Sequence, residues 1–95
     1  MKSVIYKYYL VPKGEGNICE VELPPDAVVR KCAAQGRKIC IWVEHSFPVV
    51  DSKVRYFEIF ATGEEIVYDM GIDRNFIDTA FLDCGLVFHI YERLF

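Results

Sequence analysis

Apolar and polar residues alternate along several short stretches of this chain, with the two-residue period of a strand that is buried on one face. In the segment 18–23 the alternation places Cys19, Val21 and Leu23 on one face and two glutamates on the other. In the segment 38–44 it separates Ile39, Ile41 and Val43 from Cys40 and Trp42. Each such stretch predicts a β-strand.

Turn residues divide these stretches into about eight short strands. The predicted strands cover residues 4–11, 18–23, 27–35, 38–44, 54–62, 66–68, 76–82 and 86–92, with a loop at 45–53. Short strands at regular spacing predict an all-β, antiparallel domain, a sandwich, roll or small barrel that spans residues 1–95.

Two hairpins are predicted from the connections. Pro12–Gly16 carries the turn residues that would join the first two strands, and Gly36–Arg37 is a two-residue link between the third and fourth. Ala27–Gln35 could instead be a short helix, although Val28 and Val29 near its start favour a strand.

Composition supports the β assignment and adds a prediction of self-association. Twenty residues are Val or Ile, ten are Ala or Leu, and fourteen are aromatic. The hydrophobic fraction is 53% and the mean hydropathy is +0.16, which is high for 95 residues. A small domain has little interior, so we expect a homo-oligomer that buries the excess. A densely packed monomer is the alternative.

The net charge of −3 and the pI of about 5.3 indicate no global attraction to bulk nucleic acid or to anionic membranes. The start of the chain does not resemble a signal peptide, and no apolar run approaches the ~20 residues of a membrane-spanning helix. We therefore expect a cytoplasmic protein.

Metal and cofactor sites are not predicted. Cys19, Cys32, Cys40 and Cys84 form no Cys-x-x-Cys pair and have no histidine at zinc-ligand spacing. They are expected to be buried, reduced thiols, with a disulfide or metal site as the alternative. Four aspartates within residues 69–83 lack the spacing of a calcium-binding loop and are expected in solvated turns.

Basic residues around the Gly36–Arg37 link are the main candidates for ligand binding. Arg30, Lys31, Arg37 and Lys38 could hold phosphate oxygens, and Trp42 on the same hairpin could stack on a nucleobase. The pattern places Arg30 and Lys31 on opposite faces. A solvated turn that protects an edge strand, with Trp42 as a core or interface anchor, is the alternative.

The remaining candidates lie elsewhere in the chain. Thr62–Gly63 follows a strand, and its backbone N–H groups could form an anion-binding nest instead of a plain turn. His45 is expected to be solvated beside a loop, and His89 to be packed and hydrogen-bonded within a strand. No Ser-His-Asp or Cys-His arrangement is visible, so we do not expect an enzyme.

Three segments carry a resemblance to a known family. They are Ile5–Tyr8 with Glu20–Pro24, Ile39–Val43 leading to Arg55–Gly63, and Gly85–Glu92. Together they resemble a family of small, uncharacterised proteins encoded mostly by bacteriophages. In that family a Leu-Pro turn, a central Trp strand, a Thr-Gly turn and a Gly-Leu-Val ending recur. Phe88 and Glu64 depart from the residues that the family usually has at these positions, Trp and His.

The resemblance implies a non-enzymatic binding protein in the host bacterial cytoplasm. Small accessory phage proteins often counter host defences, and some are oligomeric β-rich proteins that sequester a nucleotide signal. We therefore expect a counter-defence protein that binds an anionic, cyclic nucleotide. The alternatives are a protein inhibitor of a host defence effector such as a CRISPR nuclease, and a structural virion or assembly protein.

Overall fold

Seven β-strands make up the described part of the chain, residues 2–14, 16–68 and 71–94 of a computed structural model. They are β1 (Lys2–Tyr9), β2 (Ile18–Leu23), β3 (Val28–Gln35), β4 (Lys38–Phe47), β5 (Lys53–Ala61), β6 (Arg74–Phe81) and β7 (Val87–Arg93). The predicted all-β antiparallel fold is confirmed, as a small sandwich of two sheets that do not close into a barrel. Within these ranges no helix is long and apolar enough to cross a membrane.

The two sheets have the strand orders β1-β4-β3 and β2-β5-β7-β6. β3 and β4 form the predicted tight hairpin, in which Gln35 lies opposite Lys38 across the Gly36–Arg37 link. Gly36 has a φ of 64°, which is in the left-handed region that two-residue hairpin turns require and that glycine adopts at low cost.

The core lies between the inner faces of the sheets. Ile41 and Val43 of β4 are fully buried, and they belong to the same apolar cluster as Phe57 and Ile90 of the four-stranded sheet. Because successive side chains of a strand point to opposite faces, Trp42 lies on the outer face of the three-stranded sheet.

The predicted hairpin of the first two strands is wrong. β1 pairs with β4, placing Tyr9 opposite Cys40, while β2 pairs with β5, placing Cys19 opposite Phe57. β1 and β2 therefore belong to different sheets. An isolated two-stranded hairpin is marginally stable in water, whereas strands in two facing sheets can cover one shared core.

His45 lies in a strand and not in the predicted loop, because β4 continues to Phe47. The His45 side chain is only 2% exposed. Its Nδ1 donates to the Ser46 carbonyl oxygen at 3.1 Å, and its Nε2 lies 3.0 Å from the Tyr8 hydroxyl. The expectation of a solvated histidine is therefore wrong, and both ring nitrogens have partners inside the protein.

The short strand predicted at residues 66–68 is also absent, since this segment pairs with no strand. It lies instead beside Arg74, whose Nη1 donates to the Val67 carbonyl oxygen at 2.8 Å and whose guanidinium stacks 5.0 Å from the Tyr68 ring. Arg74 forms an ion pair with Glu58 at 2.7 Å, and both side chains are 5% exposed. The segment therefore contributes to covering an ion pair on the outer face of the four-stranded sheet.

Candidate functional site

The outer face of the three-stranded sheet carries a tryptophan between two lysines. Lys7 of β1 and Lys31 of β3 both lie directly opposite Trp42 of β4. Residues directly opposite in an antiparallel pair share a face, so these three side chains form one row across the sheet. The structure thus brings together Lys31 and Trp42, both predicted from the sequence, and adds Lys7, which was not.

A β-bulge brings Arg30 to the same face. The pairing register of β3 shifts between Val29 and Lys31, and Arg30 is the extra residue. Its Nε donates to Glu44 Oε1 at 2.8 Å, and Glu44 shares the outer face with Trp42. The prediction that Arg30 and Lys31 lie on opposite faces is therefore wrong, because a bulge interrupts the two-residue period. Arg30 is paired with an acid, so its charge is partly neutralised.

Two ammonium groups converge on the Tyr9 ring at one end of this face. Lys7 Nζ lies 5.0 Å and Lys38 Nζ lies 4.8 Å from the ring centroid. Lys7 Nζ also donates to Gln35 Oε1 at 2.8 Å, which draws its side chain across β4. Among the described residues neither lysine forms an ion pair, so both ammonium groups lie beside the ring without a neutralising acid.

An apolar pocket of about 360 Å³ opens beside Tyr9 at the end of the sandwich. Apolar side chains of both sheets and of the segment after β1 line its interior, and Tyr9, Arg37 and Lys38 lie at its polar rim. The apolar lining includes Leu10, Val11, Ile39, Ile59 and Phe88. We call this cavity the end pocket, and the surface formed by Lys7, Tyr9, Arg30, Lys31, Lys38 and Trp42 the basic–aromatic face. Tyr9 and Lys38 belong to both.

Charge is strongly separated between the two parts of the chain. Residues 2–9 and 28–47, which form the three-stranded sheet, contain six lysines and arginines and one glutamate, a net charge of +5. The remaining residues contain five basic and thirteen acidic side chains, a net charge of −8, and the two parts sum to the overall −3. The small total charge therefore conceals a basic sheet, whose potential attracts anions.

Thr62 and Gly63 lie directly after β5 of the other sheet and are not among the residues that line the end pocket. Thr62 Oγ1 is 2.8 Å from His89 Nε2, and His89 Nδ1 is 3.0 Å from Thr79 Oγ1. This agrees with the prediction of a packed, hydrogen-bonded His89. Gly63 has a φ of 89° in a turn, where Glu64 Oε1 accepts the Ala61 N–H, so an acid already lies at this turn.

The cysteines and aspartates do not assemble into a metal site within the described residues. All four thiols are free; three are buried as predicted, and Cys84 is exposed, contrary to the prediction. Burial raises the pKa of Cys19 to about 11 and that of Cys32 to about 12. Asp78 accepts the Cys32 N–H at 3.3 Å and is therefore not in a solvated turn, and Asp69 lies outside the described residues.

Sequence reasoning missed Lys7, Tyr9 and the apolar lining of the end pocket. The sequence does show Ile5, Lys7 and Tyr9 on one face of a strand, but that face becomes part of a site only through the pairing of β1 with β4. Leu10 follows β1 of one sheet and Phe88 lies in β7 of the other, and no local pattern brings them together.

One family model matches residues 1–94 of the chain, nearly its full length. The chain belongs to the family described as a domain of unknown function, DUF7352. The family is uncharacterised, in agreement with the resemblance, and its description names no reaction, ligand or partner. No curated protein and no solved structure matches the chain. For this DUF7352 member, the geometry of the basic–aromatic face and the end pocket is therefore the basis for assigning a function.

Proposed function

We propose that this protein is a non-enzymatic binding protein that sequesters an anionic, cyclic nucleotide, and that it acts in the host cytoplasm as a phage counter-defence protein. One observation carries the proposal. The ammonium groups of Lys7 and Lys38 flank Tyr9 at the mouth of an apolar pocket, and neither has an acidic partner among the described residues. Ammonium groups that have no acidic partner, on a sheet of net positive charge, attract an anion.

The phosphate contacts come from the rim of the end pocket. Lys38 and Arg37 line the pocket, and Lys7 reaches the same tyrosine from β1. Lysine supplies a mobile point charge, while the planar guanidinium of arginine can hold two phosphate oxygens at once. In the part of the chain that the structure describes, Arg37 has no ion pair or side-chain hydrogen bond that would compete with a ligand.

The base has two adjoining apolar surfaces to contact. The end pocket offers Phe88 and aliphatic side chains, and the outer face offers the half-buried ring of Trp42. Stacking of a base on an aromatic side chain contributes ~1–3 kcal/mol per base and tolerates any base, because every base has a π-face. Apolar contact with charged groups at the rim is the usual construction of a small-molecule site.

The separation of the cations favours a ligand with more than one phosphate. Lys38 lies four residues from Trp42 along β4, which corresponds to roughly 13 Å at the rise of a β-strand. Lys31 lies beside Trp42, so one group of cations lies at the pocket rim and another near the tryptophan. A cyclic di- or trinucleotide can contact both groups, whereas a single phosphate contacts one.

The proposal excludes catalysis because the functional groups of the site bind anions but do not activate a nucleophile. The face presents lysine, arginine, tyrosine and tryptophan, while His45 is buried on the inner side and His89 lies on the other sheet. General acid–base chemistry would need a positioned group of suitable pKa within hydrogen-bond reach of the substrate. The nucleotide is therefore held and released unchanged.

Native mass spectrometry and calorimetry with cyclic dinucleotides, cyclic trinucleotides and cyclic ADP-ribose isomers test the proposal. We expect a stoichiometric complex with one class and at least tenfold weaker binding for Lys38→Glu, alone or combined with Arg37→Glu. Lys53→Glu is the matched control, because it makes the same charge change on β5 of the other sheet. Equal affinity of the Lys38 and Lys53 variants, or no binding of any nucleotide by the folded protein, would contradict the proposal.

A further inference from the structure

One edge of the three-stranded sheet is free. Among residues 2–14, 16–68 and 71–94, β1 pairs with β4 alone, and the Leu10 N–H donates to the Ile39 carbonyl oxygen at 2.9 Å in continuation of that register. Hydrogen-bonded and non-hydrogen-bonded pairs alternate along an antiparallel ladder. The residues whose N–H and C=O groups point away from β4 are therefore Ser3, Ile5, Lys7 and Tyr9.

This edge lacks the features that prevent strands from associating. Residues 2–9 contain no proline, glycine or acidic residue, and the pairing of β1 shows no bulge. Ile5 is 57% exposed on the outer side. Tyr6 is 46% exposed even though it lies opposite the fully buried Val43. The inner face of β1 therefore extends the apolar core to a border that no described residue covers as a neighbouring strand.

The other three edges are protected. The Cys32 N–H of β3 donates to Asp78 of the neighbouring sheet, and β6 carries a bulge next to that aspartate. On β2, two glutamates alternate along the strand, and the Ile18 carbonyl oxygen accepts the Lys13 N–H. Of the four edges, β1 is the one with backbone groups and apolar side chains available together.

We propose that two copies of this chain pair through the free edges of β1, antiparallel, with Ile5 opposite Ile5 of the second copy. In this register Val4 lies opposite Tyr6, Lys2 opposite Tyr8 and Lys7 opposite Ser3, so no lysine faces another lysine. A register centred on Lys7 would place the two Lys7 ammonium groups opposite each other, which destabilises a strand pair. A second copy thus fits this edge in both its hydrogen bonds and its charges.

The dimer joins the two three-stranded sheets into one sheet of six strands. Three residues of each copy, Ser3, Ile5 and Lys7, exchange backbone hydrogen bonds, and the inner-face tyrosines of one copy pack beside those of the other. The two-fold axis stands perpendicular to the sheet, so both basic–aromatic faces lie on the same side. The dimer does not depend on the proposed function. The statement that it makes two nucleotide sites neighbours rests on the proposed function.

Disulfide crosslinking tests the register directly, in a Cys84→Ser background because Cys84 is the exposed thiol among the four. In a hydrogen-bonded pair the Cα atoms are ~5.5 Å apart, which is within the range of a disulfide. We therefore expect Ile5→Cys to give a covalent dimer under mild oxidation. Ser3→Cys is the matched control on the same side of the same strand, and its two copies lie roughly 14 Å apart in this register. We expect it to stay monomeric on a non-reducing gel.

Sedimentation of the reduced proteins provides a second measurement that needs no crosslink. We expect a concentration-dependent dimer for the wild type, and a monomer for folded Ile5→Lys, which places two charges opposite each other. Phe81→Lys, at a 71% exposed position of β6, should leave the dimer intact. Equal crosslinking of both cysteine variants, no crosslinking of Ile5→Cys, or a monomeric wild type overturns the proposal. A dimer that binds no nucleotide contradicts only the proposed function, whereas a monomer that binds one contradicts only the dimer.

Discussion

Replacing Arg55 by methionine tests whether an ion pair between the sheets stabilises this fold. Arg55 Nε and Nη2 donate to the two carboxylate oxygens of Glu92 at 2.6 and 2.7 Å. Its Nη1 donates to the Ala27 carbonyl oxygen at 2.7 Å, in the loop that leads into β3. The side chains of Arg55 and Glu92 are 16% and 11% exposed, so little water can reach the carboxylate to replace the hydrogen bonds that the substitution removes.

The expected loss is about 3–5 kcal/mol, because removal of one partner leaves a poorly solvated carboxylate without its charge-assisted hydrogen bonds. A domain of this length has a free energy of unfolding of about 5–14 kcal/mol at ~0.05–0.15 kcal/mol per residue. The variant would therefore lose a large fraction of its stability. Each kcal/mol lowers the Tm of a small domain by ~4–8 °C, so a decrease of at least about 12 °C should be visible.

Urea unfolding followed by circular dichroism and by Trp42 fluorescence measures this loss with two independent probes. Arg30→Met is the control, because the Arg30–Glu44 pair is 55% and 32% exposed and should contribute less than about 1 kcal/mol. The double variant Arg55→Met with Glu92→Met should recover most of the lost stability, since it leaves no buried charge unpaired.

Two outcomes would refute this reasoning. An Arg55→Met protein within about 1 kcal/mol of the wild type would show that the enclosed geometry contributes no more than a surface pair. The double variant could instead lose as much stability as the Arg55→Met and Glu92→Met variants lose in total when each is measured alone. That result would show that the sheets require the packing of the two side chains and not their charges.

Three further predictions concern thiols, pH and a turn. Iodoacetamide at pH 8 should modify Cys84 alone in the native protein and all four cysteines in denaturant, because burial excludes the reagent from the others and raises the pKa of Cys32 to about 12. Hydrogen bonding to a serine of β4 lowers the pKa of Asp26 in the folded protein below its ordinary 3.8. The ionised carboxylate therefore stabilises the fold above about pH 4, and this contribution is lost as the pH falls through the lower native pKa. Asp26→Asn should have a lower Tm than wild type at pH 7 and an equal Tm near pH 2. Gly36→Ala should lower the free energy of unfolding, measured with urea, by about 1 kcal/mol, because Gly36 has a φ of 64°. The φ of Gly16 is not left-handed, so Gly16→Ala should change the free energy of unfolding very little.

Strands and the hairpin at Gly36 were predictable because they depend on neighbouring residues. Alternation over five or six residues decides which side chains can share a buried face, and a two-residue link with glycine decides a tight turn. Predictions failed where a distant contact replaces a local preference. His45 lies in a strand because β4 extends to pair with β1, and residues 66–68 lie over an ion pair instead of joining a sheet.

Four of the six residues of the basic–aromatic face could be predicted in the same way. Arg30, Lys31, Lys38 and Trp42 lie on one hairpin, so their proximity follows from local pairing. The other two, Lys7 and Tyr9, could not be predicted, because the register of β1 against β4 is set by burial of the inner faces of both strands. The bulge that moves Arg30 to the outer face cannot be predicted from the alternation of apolar and polar residues, because a bulge interrupts that alternation.

The sequence by itself determined an all-β chain with a small net charge and more apolar residues than a small core can hold. Only the tertiary structure decided where those charges and apolar residues lie. Strand composition is local, but which strands share a sheet depends on contacts between residues far apart in the chain. Pairing β1 with the β3–β4 hairpin collects a charge of +5 on one sheet and leaves −8 on the rest, and it places Tyr9 at the mouth of the end pocket.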